Sequence, residues 1–215
     1  MFDWLSADTE QLQGAQAVHH ENRGIVTQGI LAGTRVASNL GWRTVEALAP
    51  GDKVLTFDNG MQTIAEVRRE VHWDDSPDVP RRHWPVTVPV GALSNRVEMM
   101  LLPDQGVVLE SDVADDAFDD PFAVLAARQL VGLRGITQAP ARMQQDVVTL
   151  IFEDEQVIYA EGGALVHCPK PGDLFASAQE RQTYAILDEE LAALVVDELR
   201  LEDALNARGI QSVAA

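Results

Sequence analysis

The chain of 215 residues is 46% hydrophobic and 23% charged, proportions that supply one ordinary domain with a full core and exclude a largely disordered polymer. A formal net charge of −18 argues against nucleic acid and anionic membrane surfaces as partners, because binding there depends on Lys and Arg releasing counterions. The single cysteine, Cys168, excludes an internal disulfide and any zinc centre built from several thiolates.

Residues 1–23 are polar and Gln-rich and read as a loosely held N-terminal arm. Early acids, with no basic stretch and no apolar segment, distinguish this N-terminus from a secretory signal peptide. Cytoplasm is the default compartment, since no uninterrupted apolar run approaches bilayer length. His19 and His20 are adjacent, so they diverge on either a helix or a strand and read as solvated surface, not as a metal pair.

From Gly29 to Gly60 the chain runs GILAGTRVASNLGWRTVEALAPGDKVLTFDNG. An apolar Ile30-Leu31-Ala32 tightens at Gly33-Thr34 and leads into a strand at Arg35-Val36-Ala37. Asn39-Leu40-Gly41 turns the chain, Thr44 is placed to cap a helical turn at Val45–Leu48, and Pro50-Gly51-Asp52 turns it again. Lys53–Phe57 then reads as a strand, closed by Asn59-Gly60 as a type I′ hairpin.

This order of small residue, G-T strand, W-x-x-V-E-x-L, P-G-D and V-L-T resembles the opening of the Hint domain shared by Hedgehog autoprocessing domains and inteins. It is most similar to the stand-alone bacterial members. The resemblance implies an all-β, Hint-type horseshoe of mostly antiparallel strands over residues 24–173; it does not extend to residues 174–215, which leucine spacing reads as a C-terminal amphipathic helical segment. It also implies export without an N-terminal signal as the alternative to a cytoplasmic location.

Further along, Met61–Val71 alternates as one long returning strand. Residues 74–82 form a loop whose prolines forbid a central strand. Trp84–Val90 is extended, and Gly91–Asn95 turns the chain into Met99–Leu102. Asp120-Pro121 before Phe122–Leu130 has an N-cap acid and a proline at the first helical position, which predicts a short helix over at least part of that run. Asp146–Phe152 and Gln156–Ala160 read as strands joined by an acidic hairpin turn at Glu153–Glu155, and Pro171-Gly172-Asp173 ends the domain. Beyond Thr183, Leu187, Leu191, Leu194, Val195, Leu199 and Leu205 recur at helical spacing, with Asp188 as N-cap, a break near Leu201 and Gly209 as the stop. That apolar stripe buries against its own domain or makes a homodimer.

Hint chemistry is an acyl shift: a Cys, Ser or Thr side chain attacks the preceding carbonyl while a histidine protonates the leaving amide nitrogen. With Gly33-Thr34 fixing the register, the resemblance puts the nucleophile position on Gly29, which has no side chain. Pro103-Asp104-Gln105-Gly106 occupies the T/S-P-x-H segment, with Gly106 at the histidine's place, and Glu155 stands where relatives carry another histidine. The terminal His-Asn pair of inteins is missing from Gln211–Ala215. No catalytic residue is therefore expected, and the chain reads as a degenerate, non-processing member acting as a structural or interaction module with an unidentified protein partner.

The alternative is self-cleavage near Gly29, with Thr27 or Thr34 as nucleophile in a shifted register. Thr34 is better explained as satisfying backbone groups in its turn. Cys168, next to His167, is a weaker alternative nucleophile, because strand neighbours face opposite sides and its apolar flanks suit a small buried hydrophobe. The acidic pairs Asp74-Asp75, Asp115-Asp116 and Asp119-Asp120 lack the D-x-D-x-D-G spacing of a calcium loop. No metal and no cofactor are expected.

Overall fold

Branched residues alternating with polar ones fold the opening module into short strands whose inward positions fill the core. The computed structural model describes residues 26–72, 79–141, 145–170, 184 and 186–208. In chain order these hold β1 (Ile30–Leu31), β2 (Arg35–Ser38), β3 (Gly41–Thr44), β4 (Lys53–Thr56), β5 (Gly60–Thr63), β6 (Glu66–His72), β7 (Val86–Val88), β8 (Met99–Leu101) and β9 (Gly106–Glu110). Helix α1 (Asp112–Phe118), β10 (Phe122–Ala126), β11 (Thr137–Gln138), β12 (Gln145–Ile151), β13 (Gln156–Ala160), β14 (Ala164–Cys168) and helix α2 (Glu189–Ala207) follow.

The strands build three sheets. One has the order β1-β12-β6, the largest runs β10-β9-β14-β13-β2-β4-β5 with β3 added on β2, and the third is β11-β7-β8. Strand partners in all three are antiparallel. Val36, Val54, Ile158 and Val166 of the large sheet meet Val148 and Leu150 of the first and Val86, Val88 and Leu101 of the third in one continuous core. The protein is thus all-β and mostly antiparallel, with one long helix near its C-terminus. No helix among the described residues is long and apolar enough to cross a membrane.

Several local expectations need correction. Thr56 pairs with Gly60 across a three-residue loop, and Gly60 has a φ of +63°. The turn is therefore not the two-residue type I′ form; the Thr56 hydroxyl holds it by donating to Gly60 O and accepting from Asn59 N. Thr44 stands at the N-cap of a 3₁₀ turn, Val45–Ala47, without making a side-chain cap bond. The predicted long strand over Met61–Val71 divides at Ile64-Ala65: β5 stays on β4 while β6 crosses to β12. Likewise, Glu153–Glu155 is a turn but not a hairpin, because β12 pairs with β1 and β6 whereas β13 pairs with β14, β2 and β4.

The helix expected over Phe122–Leu130 is mostly strand. Phe122–Ala126 pairs residue by residue with β9, and only Ala127–Leu130 turns, as a 3₁₀ segment. Asp120 does not start a helix; its Oδ1 accepts from Phe122 N and bends the chain into the strand. A short helix does form earlier, at Asp112–Phe118, where Ser111 caps the first turn by accepting from Ala114 N.

Helix α2 begins at its expected cap, Asp188, which accepts from Glu190 N and Leu191 N. It continues to Ala207 without the break expected near Leu201. Its buried residues are Ala192, Val195, Val196 and Leu199, all in the main core, while Leu194 and Leu201 are 53% and 62% exposed. The packed stripe is rotated from the expected one, and Glu198 and Asp203 tie its flanks to Ser111 and Arg134. His19 and His20, Asp74 and Asp75, Pro171–Asp173 and Gly209 lie outside the described residues.

Candidate functional site

Pairing of Ile30 with Val148 and of Leu31 with Val147 lays β1 on β12, and this sets where Gly29 sits. Gly29 is buried with a φ of +125°. A Cβ there would stand 2.5 Å from Val147 Cγ1 and 3.3 Å from Thr149 Oγ1, so both backbone conformation and space require glycine.

Opposite Gly29 is Gln105, which is 1% exposed. Its Oε1 accepts from Gly29 N at 3.0 Å, and its Nε2 donates to His167 O at 2.7 Å and to Gly106 O at 3.1 Å. One buried amide thereby joins three separate stretches of chain. The approach is reinforced by Asp104 N donating to Thr27 O at 2.8 Å.

The register expected at this segment is off by one. Gln105, not Gly106, presents its side chain to the Gly29 amide. Any side chain at 106 would meet His167 Cβ at 2.9 Å, Val124 Cγ1 at 3.0 Å and His167 Nδ1 at 3.1 Å. Gly106 is the floor on which the His167 ring rests.

Glu155 lies elsewhere as well. It faces the His167 ring, with Oε1 2.8 Å from Nε2, and its Oε2 accepts from Tyr184 N at 3.3 Å. His167 is 4% exposed, its Nδ1 has no hydrogen-bond partner among the described residues, and its ring lies 6.0 Å from that of Tyr184. Alternation along β14 puts this ring on one face of the sheet and Cys168 on the other, in the main core. Burial pushes the Cys168 thiol up to about 12, so it carries almost no thiolate at neutral pH.

A cleft of about 310 Å³ opens at Gly29 and is lined by Thr27, Gln28, Gln105, Thr149, Cys168 and, from β6, Arg68 and Glu70 among others. Glu155, Gly106 and Thr34 are not part of its lining. Thr34 is 7% exposed; its amide donates to Leu31 O and its carbonyl accepts from Val45 N, which holds the turn after β1. The structure therefore brings Gly29 together with Gln105, Thr149 and Cys168, links it to Gly106 only through the Gln105 carboxamide, and leaves Glu155 and Thr34 outside the cleft lining.

Chemically, the group at the Gly29 nitrogen is a carboxamide. Its oxygen accepts the Gly29 N–H, and a carboxamide has no proton to release near neutral pH. Gly29 itself supplies neither thiol nor hydroxyl. Gln105 was discoverable in the sequence only as the last residue of a T/S-P-x-H-like segment, where Pro103 fixes the count.

A separate acidic group forms where α2 meets α1: carboxylate oxygens of Asp112, Glu198 and Glu202 lie within 4.8 Å of one another. Glu198 already accepts from Asp112 N at 2.7 Å, from Val113 N at 3.4 Å and from the Ser111 hydroxyl. It acts as a second cap for α1. Burial, then the nearby Glu198 and Asp112 carboxylates, hold Glu202 above its ordinary value. Neither of the described acidic pairs, Asp115-Asp116 and Asp119-Asp120, contributes a member to this group.

The chain resembles several solved structures. It is 16% identical to a bacterial intein-like domain from Clostridium thermocellum, covering 66% of this chain and 99% of that one with a TM-score of 0.47. A splice-inactive variant of the AceL NrdHF class 3 split intein matches at 12% identity, 66% and 98% coverage and a TM-score of 0.45. The gp41-1 intein matches at 12%, 65% and 98%, with a TM-score of 0.41. No curated protein sequence matches. The family model of the Hint domain matches residues 29–166, a span that begins at the buried glycine beneath Gln105 and takes in every strand but the last two residues of β14, so the chain belongs to the Hint domain family.

Proposed function

We propose that this protein is a Hint domain that does not process itself and serves as a folded structural or interaction module. The observation that carries the reading is the pair Gly29 and Gln105. The residue at the nucleophile position has no side chain and no room for one, and the group against its amide nitrogen accepts a hydrogen bond where an acyl shift needs a proton donor. The Gln28–Gly29 peptide is held in place by these contacts, as a splint holds a joint. Cys168, with its thiol in the main core, supports the same reading.

The test is the intact mass of the full chain, taken after purification and again after incubation with hydroxylamine or dithiothreitol. A single unprocessed species is expected. A fragment beginning or ending at the Gln28–Gly29 bond would establish self-cleavage and overturn the reading.

A further inference from the structure

The inward side of β2 and β4 is buried through Val36, Ser38, Val54 and Thr56. Their alternate residues face the opposite way. Trp42 pairs with Ala37, Leu55 pairs with Met61, and the Ser38–Val54 register places Ala37 beside Leu55. Four strands thus contribute one unbroken apolar row, Trp42-Ala37-Leu55-Met61, running across the sheet. Trp42 is 47% and Met61 44% exposed, although large apolar side chains aligned in solvent are unusual without a partner.

The charges beside this row are equally selective. One step to one side lies Arg35, opposite Thr44; one step to the other lies Lys53, opposite Thr63. Both are exposed, and neither is ion-paired among the described residues. No acid occupies an outward position on these four strands. In a chain with 34 acidic and 16 basic residues, four strands that carry no acid and are flanked by two cations without an ion pair concentrate positive charge here; the Glu161 carboxylate that accepts from the Arg35 amide is buried.

We propose that this face docks an acidic segment of a partner protein that carries aromatic or aliphatic side chains. Apolar side chains of the segment cover the Trp42-to-Met61 row, and its carboxylates meet Arg35 and Lys53 at the two sides. A second copy of this chain fits poorly, because a two-fold pairing of the face brings the same cations against each other and adds two charges of −18. The face is distinct from the Gly29 cleft. It gives the interaction-module reading a partner chemistry, and binding here is independent of whether the Gln28–Gly29 bond is cut.

The experiment uses the full chain and fluorescein-labelled peptides of equal length, read by fluorescence anisotropy. One alternates Phe or Trp with Asp or Glu, a second replaces the acids by Lys, and a third replaces the aromatics by Ser. Binding of the first alone is expected, weakened by added salt, and weakened about tenfold or more by Arg35→Glu with Lys53→Glu. Trp42→Ser should weaken it comparably while Val90→Ser, at another exposed apolar position, leaves it unchanged; thermal melts confirm that each variant folds. Absence of binding, equal binding of the Lys peptide, or insensitivity to the Arg35, Lys53 and Trp42 changes overturns the proposal. So does concentration-dependent self-association that Trp42→Ser abolishes, which would make a second copy the occupant. None of these results bears on the intact-mass test.

Discussion

Gln105 Oε1 sits 3.0 Å from the amide nitrogen of Gly29, a contact made across 76 residues of chain. The same side chain holds the carbonyl of His167, so one carboxamide fixes the start of the family-matched span against the end of β14.

Replacing Gly29 by Cys should not restore processing. The new Cβ collides with Val147 Cγ1 at 2.5 Å and must adopt a φ of +125°, which together cost about 2–4 kcal/mol. Urea denaturation should show that loss, and intact mass should show no cleavage even when Gln105→His is added.

Gln105→Ala removes the partner of Gly29 N and of His167 O while both remain buried. A loss of about 2–4 kcal/mol is expected, from the unpaired groups and the cavity together. Native-state hydrogen exchange should detect faster exchange at the Gly29 amide, whereas an unchanged rate would mean the contact does not protect it.

Glu198→Ala strips the second cap from α1 and leaves Asp112 N and Val113 N to water. Stability should fall by about 1–2 kcal/mol. Ser111→Ala should have an effect of similar size, and the double variant should cost less than the sum, since both residues serve the same helix start and bond to each other. Chemical denaturation of the four proteins in the cycle measures the coupling.

Glu202 binds its proton more tightly in the folded chain than in the unfolded one, because burial and the Glu198 and Asp112 carboxylates disfavour its charge. The folded state therefore holds more protons just above the ordinary value of 4.5, and stability falls as pH rises through that window. Glu202→Gln should raise Tm near neutral pH, and the gain should vanish once the pH drops below the ordinary carboxylate value. A gain that persists in acid would point to packing instead of charge.

With its thiol raised to about 12 by burial, Cys168 should resist iodoacetamide in the native protein at mildly alkaline pH and react fully in denaturant. Mass spectrometry of the two samples distinguishes them. Rapid native alkylation would show that the strand end opens to solvent.

The legible parts of the sequence were those with local signals. Short β-branched or apolar runs bounded by turn residues marked β2, β4, β12 and β13, and Asp188 marked the start of α2, because strand composition, turns and capping are set within a few residues. Phe122–Ala126 failed for a definite reason: all but Phe122 in that run are buried, so it has no period, and the Asp-Pro before it imitated a helix start. Helix α1 was hidden by its acidity, although Ser111 followed by an acid-rich turn is itself a cap signal. At the site, Gly29 could be located by counting from Gly33-Thr34. The Gln105 contact was missed by one residue of register, although counting from Pro103 in the T/S-P-x-H pattern reaches it; sterics between Gly106 and His167 leave no room for a side chain at 106. The link between Glu155 and His167 depends on the β13–β14 register, in which Val157 faces His167.

The reach of Glu198 to the start of α1 has a consequence for where this protein begins and ends as a physical object. Kinship is recognisable up to residue 166, yet a piece trimmed there would lose the backbone carbonyl that Gln105 grips, the imidazole that Glu155 faces, and the carboxylate seating α1. The portion identifiable by descent is narrower than the portion these contacts tie together.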